Sequence, residues 1–116
     1  VKACPTGAIC SDRFLVRADR CLTRFNERPS QKPFPGWVSR SWHNSIVGCM
    51  RCQLVCPYNA SVLGRRRDGA HFTESETSYL LKGKFSGEKA RAISRRLRKD
   101  GIDISVLPRN LEALLD

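Results

Sequence analysis

The sequence predicts an α+β fold that is mostly helical, with a cysteine-rich first half and a small helical subdomain behind it. Three observations carry this. All six cysteines, both tryptophans and five of the six prolines lie in residues 1–60. Behind a small, basic stretch, the rest of the chain carries repeated helix-start and helix-stop signals. Leu, Ile, Val and Phe make up 28 of the 116 residues, which is enough for a folded chain but leaves little room for a large core. The predicted organisation is therefore residues 1–60, a basic linker over 61–72, and a helical subdomain over 73–116.

Each element has a local reason. Cys4-Pro5-Thr6-Gly7-Ala8 and Cys56-Pro57-Tyr58-Asn59-Ala60 repeat one short design. Gly7 and Asn59 share an offset, and these residue types most readily accept a left-handed backbone. Both steps are expected to end a local helix at the proline and then enter a tight left-handed turn. Ala8-Ile9-Cys10 and Phe14-Leu15-Val16 flank Ser11-Asp12-Arg13 and read as a small hairpin, the β part of the fold. Residues 18–25 read as a short helix carrying Cys21. Residues 26–36, with Pro29, Pro33, Pro35 and Gly36, read as a loop. Residues 37–47 return the chain to Gly48, which suits either a close approach of backbone to a bound group or a plain turn.

In the tail, Thr73-x-x-Glu76 is a capping box for a helix running through Leu80 and Leu81 to Gly83. Ser86 caps a second helix, with Ala90, Ile93 and Leu97 on one face and Gly101 at its end. Leu111, Leu114 and Leu115 form the apolar stripe of a third. The tail holds no recognisable chemical motif.

The chemistry lies in the cysteines. Cys49-Met50-Arg51-Cys52-Gln53-Leu54-Val55-Cys56-Pro57 is C-x2-C-x3-C-P, the close of the bacterial iron–sulfur run C-x2-C-x2-C-x3-C-P, whose last cysteine serves the other cluster of a pair. A cubane needs four thiolates converging from a chain that wraps it. The x2 spacing supplies neighbours within one turn, and the fourth ligand comes from a remote segment. On that rule Cys21, Cys49 and Cys52 hold one [4Fe-4S] cluster with Cys4 as the fourth ligand, and Cys56 crosses to a second cluster. Val1-Lys2-Ala3 has the length of the x3 spacer before a Cys-Pro step. The expectation is a cysteine just before Val1, two more shortly upstream, and a chain that is the C-terminal fragment of a longer protein.

The rival for these cysteines is structural zinc, in a module that binds nucleic acid through its arginines. Zinc sites favour two C-x2-C knuckles, whereas this chain has one such pair, and zinc chemistry gives no reason for the repeated Cys-Pro turns. Disulfides are disfavoured because no secretory signal is present. Cys10 fits no slot and reads as a free, half-buried thiol.

The extended order is Cys4-Pro5-Thr6-Gly7-Ala8-Ile9, Cys21 alone, then Gly48-Cys49-x2-Cys52-Gln53-x2-Cys56-Pro57-x-Asn59. It resembles the double-cluster ferredoxin-like domain of epoxyqueuosine reductase and its reductive-dehalogenase-like relatives. The long gap between Cys21 and Cys49 separates it from a small ferredoxin. The resemblance covers residues 1–60 strongly and the tail weakly. It implies two [4Fe-4S] clusters in the intact parent, relaying electrons to a cobalamin held by an N-terminal domain, with a modified tRNA base as the reductase's substrate. The segment Cys21-Leu22-Thr23-Arg24-Phe25-Asn26-Glu27 departs from the family's usual C-[IV]-S-Y-L-T-I-E and points to a sister branch. The fragment itself is not expected to be catalytic.

A net charge of +10 favours an acidic partner, either nucleic acid such as tRNA or an acidic electron-donor protein. The remaining N-terminal part of the same protein is a further expected partner. Arg65-Arg66-Arg67 and the run Arg91, Arg95, Arg96, Arg98 and Lys99 are phosphate-binding candidates, with solvated helix faces as the plainer reading. Arg20 and Arg51 neighbour Cys21 and Cys52 and would raise a cluster potential, unless they are merely solvated. His43 reads as making a structural hydrogen bond, and Trp37 and Trp42 as packing that keeps water out. No run of 18 apolar residues exists, so a cytoplasmic chain with no membrane partner is expected.

Overall fold

The computed structural model describes residues 2–12, 15–29, 33–65 and 67–115. Val1 of the N-terminal spacer, Arg13 and Phe14 of the expected hairpin, residues 30–32 of the Pro-rich loop, and Arg66 of the basic stretch lie outside the described residues. The chain is mostly helical: α1 is Leu22–Asn26, α2 Arg51–Leu54, α3 Glu74–Lys82, α4 Gly87–Arg98 and α5 Leu107–Leu115. Single 3-10 turns stand at Arg40–Trp42, Pro57–Asn59 and Ile104–Val106.

The β part of the expectation is corrected. Among the described residues there is no strand, only one antiparallel bridge between Ile9 and Val16, backed by Arg17 N–H to Ala8 C=O at 2.8 Å. Leu15 and Val16 are 68% and 59% exposed, so this pairing has no apolar face to bury, and a lone two-stranded hairpin is marginal in water. The helix expected over 18–25 is also shorter. Residues 18–20 form a turn, with Cys21 N–H bonded to Ala18 C=O at 3.2 Å. Cys21 is extended at φ −74° and ψ 123° and acts as the N-cap of α1.

The tail forms where its caps lie. The Thr73 hydroxyl accepts from Glu76 N–H at 3.2 Å, and the Glu76 carboxylate accepts from Thr73 N–H at 3.0 Å, closing the capping box of α3. Gly83 ends α3 at φ +65°. Ser86 is the N-cap residue of α4, although its hydroxyl makes no cap bond. Instead the Tyr79 hydroxyl accepts from Ser86 N–H at 3.0 Å and donates to its C=O at 3.1 Å, bracing the α3–α4 turn. Beyond α4, Ile102 N–H bonds to Leu97 C=O and Gly101 N–H to Arg98 C=O, both at 3.1 Å. That is a Schellman closure around Gly101 at φ +70°.

Leu80, Ile93, Leu97, Val106 and Leu107 make the core, joining α3, α4, α5 and the turn before α5. Burying each such side chain stabilises by about 1.5–3 kcal/mol. Ile46 and Val47, just before the second cysteine group, pack against this core from outside, as do Ala70 and Phe72. The expected α5 stripe is adjusted: Leu111 packs on the core, but Leu115 is 65% exposed, and Leu107, Asn110 and Ala113 are the buried residues. Among the described residues no helix is long and apolar enough to cross a membrane.

Candidate iron–sulfur site

The two Cys-Pro steps share a backbone bond. Gly7 N–H reaches Cys4 C=O at 3.4 Å, and Asn59 N–H reaches Cys56 C=O at 3.0 Å. A residue before proline is pushed to extended backbone, and Cys56 lies at φ −77° and ψ 120°. The fourth residues differ, which corrects the expected repeat. Gly7 is left-handed at φ +65°, but Asn59 is right-handed and sits in the 3-10 turn that Pro57 opens. Its carboxamide explains this. Asn59 Nδ2 donates to Gln53 Oε1 at 2.6 Å and Gln53 C=O at 3.2 Å, tying the turn back onto α2.

Cys4 Sγ lies 3.5 Å from Thr6 Oγ1, and Thr6 is buried. Burial on its own would raise the Cys4 thiol. Hydrogen bonds from the Thr6 hydroxyl and from the backbone of Thr6, Ala8 and Ile9 outweigh that and hold it below the ordinary thiol value. N–H donors gathered around a sulfur stabilise its thiolate.

Cys49 follows Gly48 directly, and Cys52 lies on α2. Gly48 is at φ +78°, while a Cβ added there would meet only Glu27 Oε1 at 3.7 Å, an ordinary contact. Backbone conformation, rather than crowding, is what asks for glycine at this position. The Gly48 peptide is held closely. Its N–H donates to Asn26 Oδ1 at 3.0 Å, and its C=O accepts from Asn26 Nδ2 at 2.5 Å and from the Ser45 hydroxyl at 2.9 Å.

These bonds connect the cysteine segments in sequence. Arg20 Nε donates to Thr6 C=O at 3.4 Å, joining the Cys4 turn to the residue before Cys21. Asn26, at the end of the helix that Cys21 caps, joins it to Gly48 and Cys49. Asn59 and Gln53 join the Cys56 turn to α2 and Cys52. All six cysteines, Cys10 included, are free and half-buried. Among the described residues no three Cys, His, Asp or Glu side chains form a group able to hold a metal ion.

The neighbours have definite places. Arg20 stacks over Trp37 at 4.5 Å, and Trp37 meets Phe25 edge-on at 5.5 Å. Arg51 Nη2 donates to Ser41 C=O at 3.3 Å, inside the Arg40–Trp42 turn. Among the described residues the hydrogen bond expected of His43 is absent at Nδ1, which is buried with no partner among them. Its ring lies 4.4 Å from Phe34, and burial, helped by the Arg109 charge, lowers its pKa.

Much of the tail's basic charge is paired locally. Arg91 and Arg95 each reach Glu88 at 3.0 Å, Arg67 reaches Asp100 at 2.6 Å, and Arg96 pairs with Glu76.

Sequence reasoning missed Asn26, Arg109 and Asn110. Asn110 Nδ2 donates to Asn26 C=O at 2.6 Å and to Ile46 C=O at 2.8 Å, while Arg109 Nη2 donates to Phe25 C=O at 2.7 Å. One signal was available: Asn110 stands three residues after Leu107 and one before Leu111, inside the apolar stripe of α5.

Residues 1–59 match the family of the 4Fe-4S double cluster binding domain. Similar curated proteins include the epoxyqueuosine reductase of Shewanella oneidensis, 28% identical over 98% of this chain and 32% of that protein. That of Prochlorococcus marinus is 36% identical over 51% of this chain and 19% of that protein. That of Vibrio cholerae is 39% identical over 51% of this chain and 15% of that protein. The chain thus spans a third or less of the length of these relatives. No solved structure matches.

Proposed function

This chain belongs to the 4Fe-4S double cluster binding domain family, and we propose that it is the electron-transfer part of an epoxyqueuosine-reductase-like oxidoreductase that uses cobalamin elsewhere in the whole protein. The observation that carries this reading is the ligand order inside the matched segment: Cys4-Pro5, Cys21, then Cys49-x2-Cys52-x3-Cys56-Pro57. Cys4, Cys21, Cys49 and Cys52 hold one [4Fe-4S] cluster, and Cys56 serves the second in a ferredoxin-like double-cluster arrangement.

The donor chemistry, though not a gathered group of ligands among the described residues, suits such a cluster. The thiols are free and half-buried, and the bonds around Cys4 favour its thiolate. When bound, the cluster supplies a one-electron relay. The chain's own residues set the environment: Arg20, pinned by Trp37 and Thr6 C=O, places positive charge beside Cys21, which favours the reduced state. The partners in this reading are an electron-donor protein and the rest of the same polypeptide. tRNA is a further partner, bound through tail arginines whose charge is only partly paired.

Anaerobic reconstitution with iron and sulfide tests the reading. The expected result is a broad brown absorption and about four irons per chain. Cys21→Ala abolishes it and Cys56→Ala spares it. Tight zinc binding without iron uptake overturns the assignment. For tRNA, affinity is expected to fall steeply with salt, and a weak, salt-independent interaction rejects that partner.

A further inference from the structure

We propose that Asn26 and Asn110 are positioning residues of the cysteine site, so that α5 is a working part of that site. The functional half of this inference rests on the cluster reading above. The structural half rests on geometry that exists without any metal.

Asn110 occupies an apolar-stripe position yet is 1% exposed. Burying a carboxamide is costly unless its hydrogen bonds are made. Here both Nδ2 hydrogens go to backbone carbonyls, those of Asn26 and Ile46, and Oδ1 accepts from Arg109 Nε at 3.1 Å. These targets follow from helix physics. The last carbonyls of a helix have no partner within it, and α1 is a five-residue helix too short to persist alone. α5 supplies the missing donors, from Arg109 to Phe25 and from Asn110 to Asn26.

Asn26 passes the constraint on. Also 1% exposed, it grips Gly48 at both N–H and C=O. A single side chain bonded to both polar groups of one residue fixes that residue's position and orientation together. Gly48 immediately precedes Cys49, and Asn26 ends the helix that Cys21 caps. Two carboxamides, 84 residues apart in sequence, thereby set Cys21 and Cys49 relative to one another. The residues matching the double-cluster family stop at position 59, so the contribution of Asn110, unlike that of Asn26, comes from outside the matched segment.

The test is native-state hydrogen exchange on the full, metal-free chain carrying Asn110→Leu, with the amides of α4 as internal reference. The Gly48 amide, which donates to Asn26 Oδ1, is expected to exchange about tenfold faster or more, while those of α4 hold their rates. A merely structural role quickens both alike, and that result, or an unchanged Gly48, overturns the proposal. Should Asn110→Leu not fold, Asn110→Ser keeps a shorter polar group and is expected to give a smaller change with the same locality. In reconstituted chain, Asn110→Leu is expected to shift the midpoint potential, with Ile93→Val as the core control that leaves it unmoved. An unmoved potential in Asn110→Leu removes the functional half. If the unaltered chain takes up no iron, the cluster reading fails, and the exchange ratio still reports on the clasp.

Discussion

The two halves of this molecule hold their shape by different means. Behind residue 67, five large apolar side chains from three helices and a turn bury one another almost completely. In the cysteine-bearing half, the described apolar residues that are buried are Ala8 and Leu22, accompanied by the polar Thr6 and Asn26. That half exposes Leu15, Val16, Met50, Leu54, Val55, Tyr58 and Val62. Its order comes from hydrogen-bonded turns around the cysteines and from contacts lent by the helical half. A segment with so little buried apolar area needs another source of stability, and ligands that wrap a cofactor are one such source.

The contrast can be broken most sharply by removing iron. In reconstituted chain, chelation is expected to abolish exchange protection over residues 2–12 and 50–63 while α3, α4 and α5 keep theirs. Equal loss in both halves would mean that the chain is a single cooperative unit. Next in size, Ile93→Ala is expected to cost about 2–5 kcal/mol, read from the denaturant midpoint, because it empties a fully buried site. Thr73→Ala is expected to cost about 1 kcal/mol by opening the capping box, fraying α3 with little change around Cys49.

The smallest effect is a pH dependence at His43, where the halves meet through Phe34 and Arg109. Its folded pKa lies below the unfolded value of about 6.5, so its share of stability is complete above that pH and is lost as pH falls toward the folded value. His43→Phe is expected to flatten the fall in denaturant midpoint between neutral and mildly acid solution. An unchanged slope would place the acid sensitivity elsewhere.

Legibility in the sequence followed the range of the interactions. Thr73 and Glu76 satisfy each other within one turn, so the start of α3 was readable, as was the Gly101 closure of α4. Asn59 was misread because its residue type permits a left-handed backbone, while the deciding bonds go to Gln53, six residues away. The hairpin was overestimated because two short apolar runs flanking a polar turn do not say whether an apolar face will be covered. Leu115 was assigned to the stripe of α5 on spacing, and the packing of α3 against α5 uses other positions.

The sequence by itself determined the donor inventory and its order, the helix boundaries set by caps, and the division into a cysteine-rich and an apolar half. These depend on residue identity and on neighbours a few positions away. Only the tertiary structure decided that α5 reaches back to the cysteines. The place of Asn110 in an apolar stripe signals burial, but the acceptors its Nδ2 reaches are main-chain carbonyls, which carry no sequence signal at all.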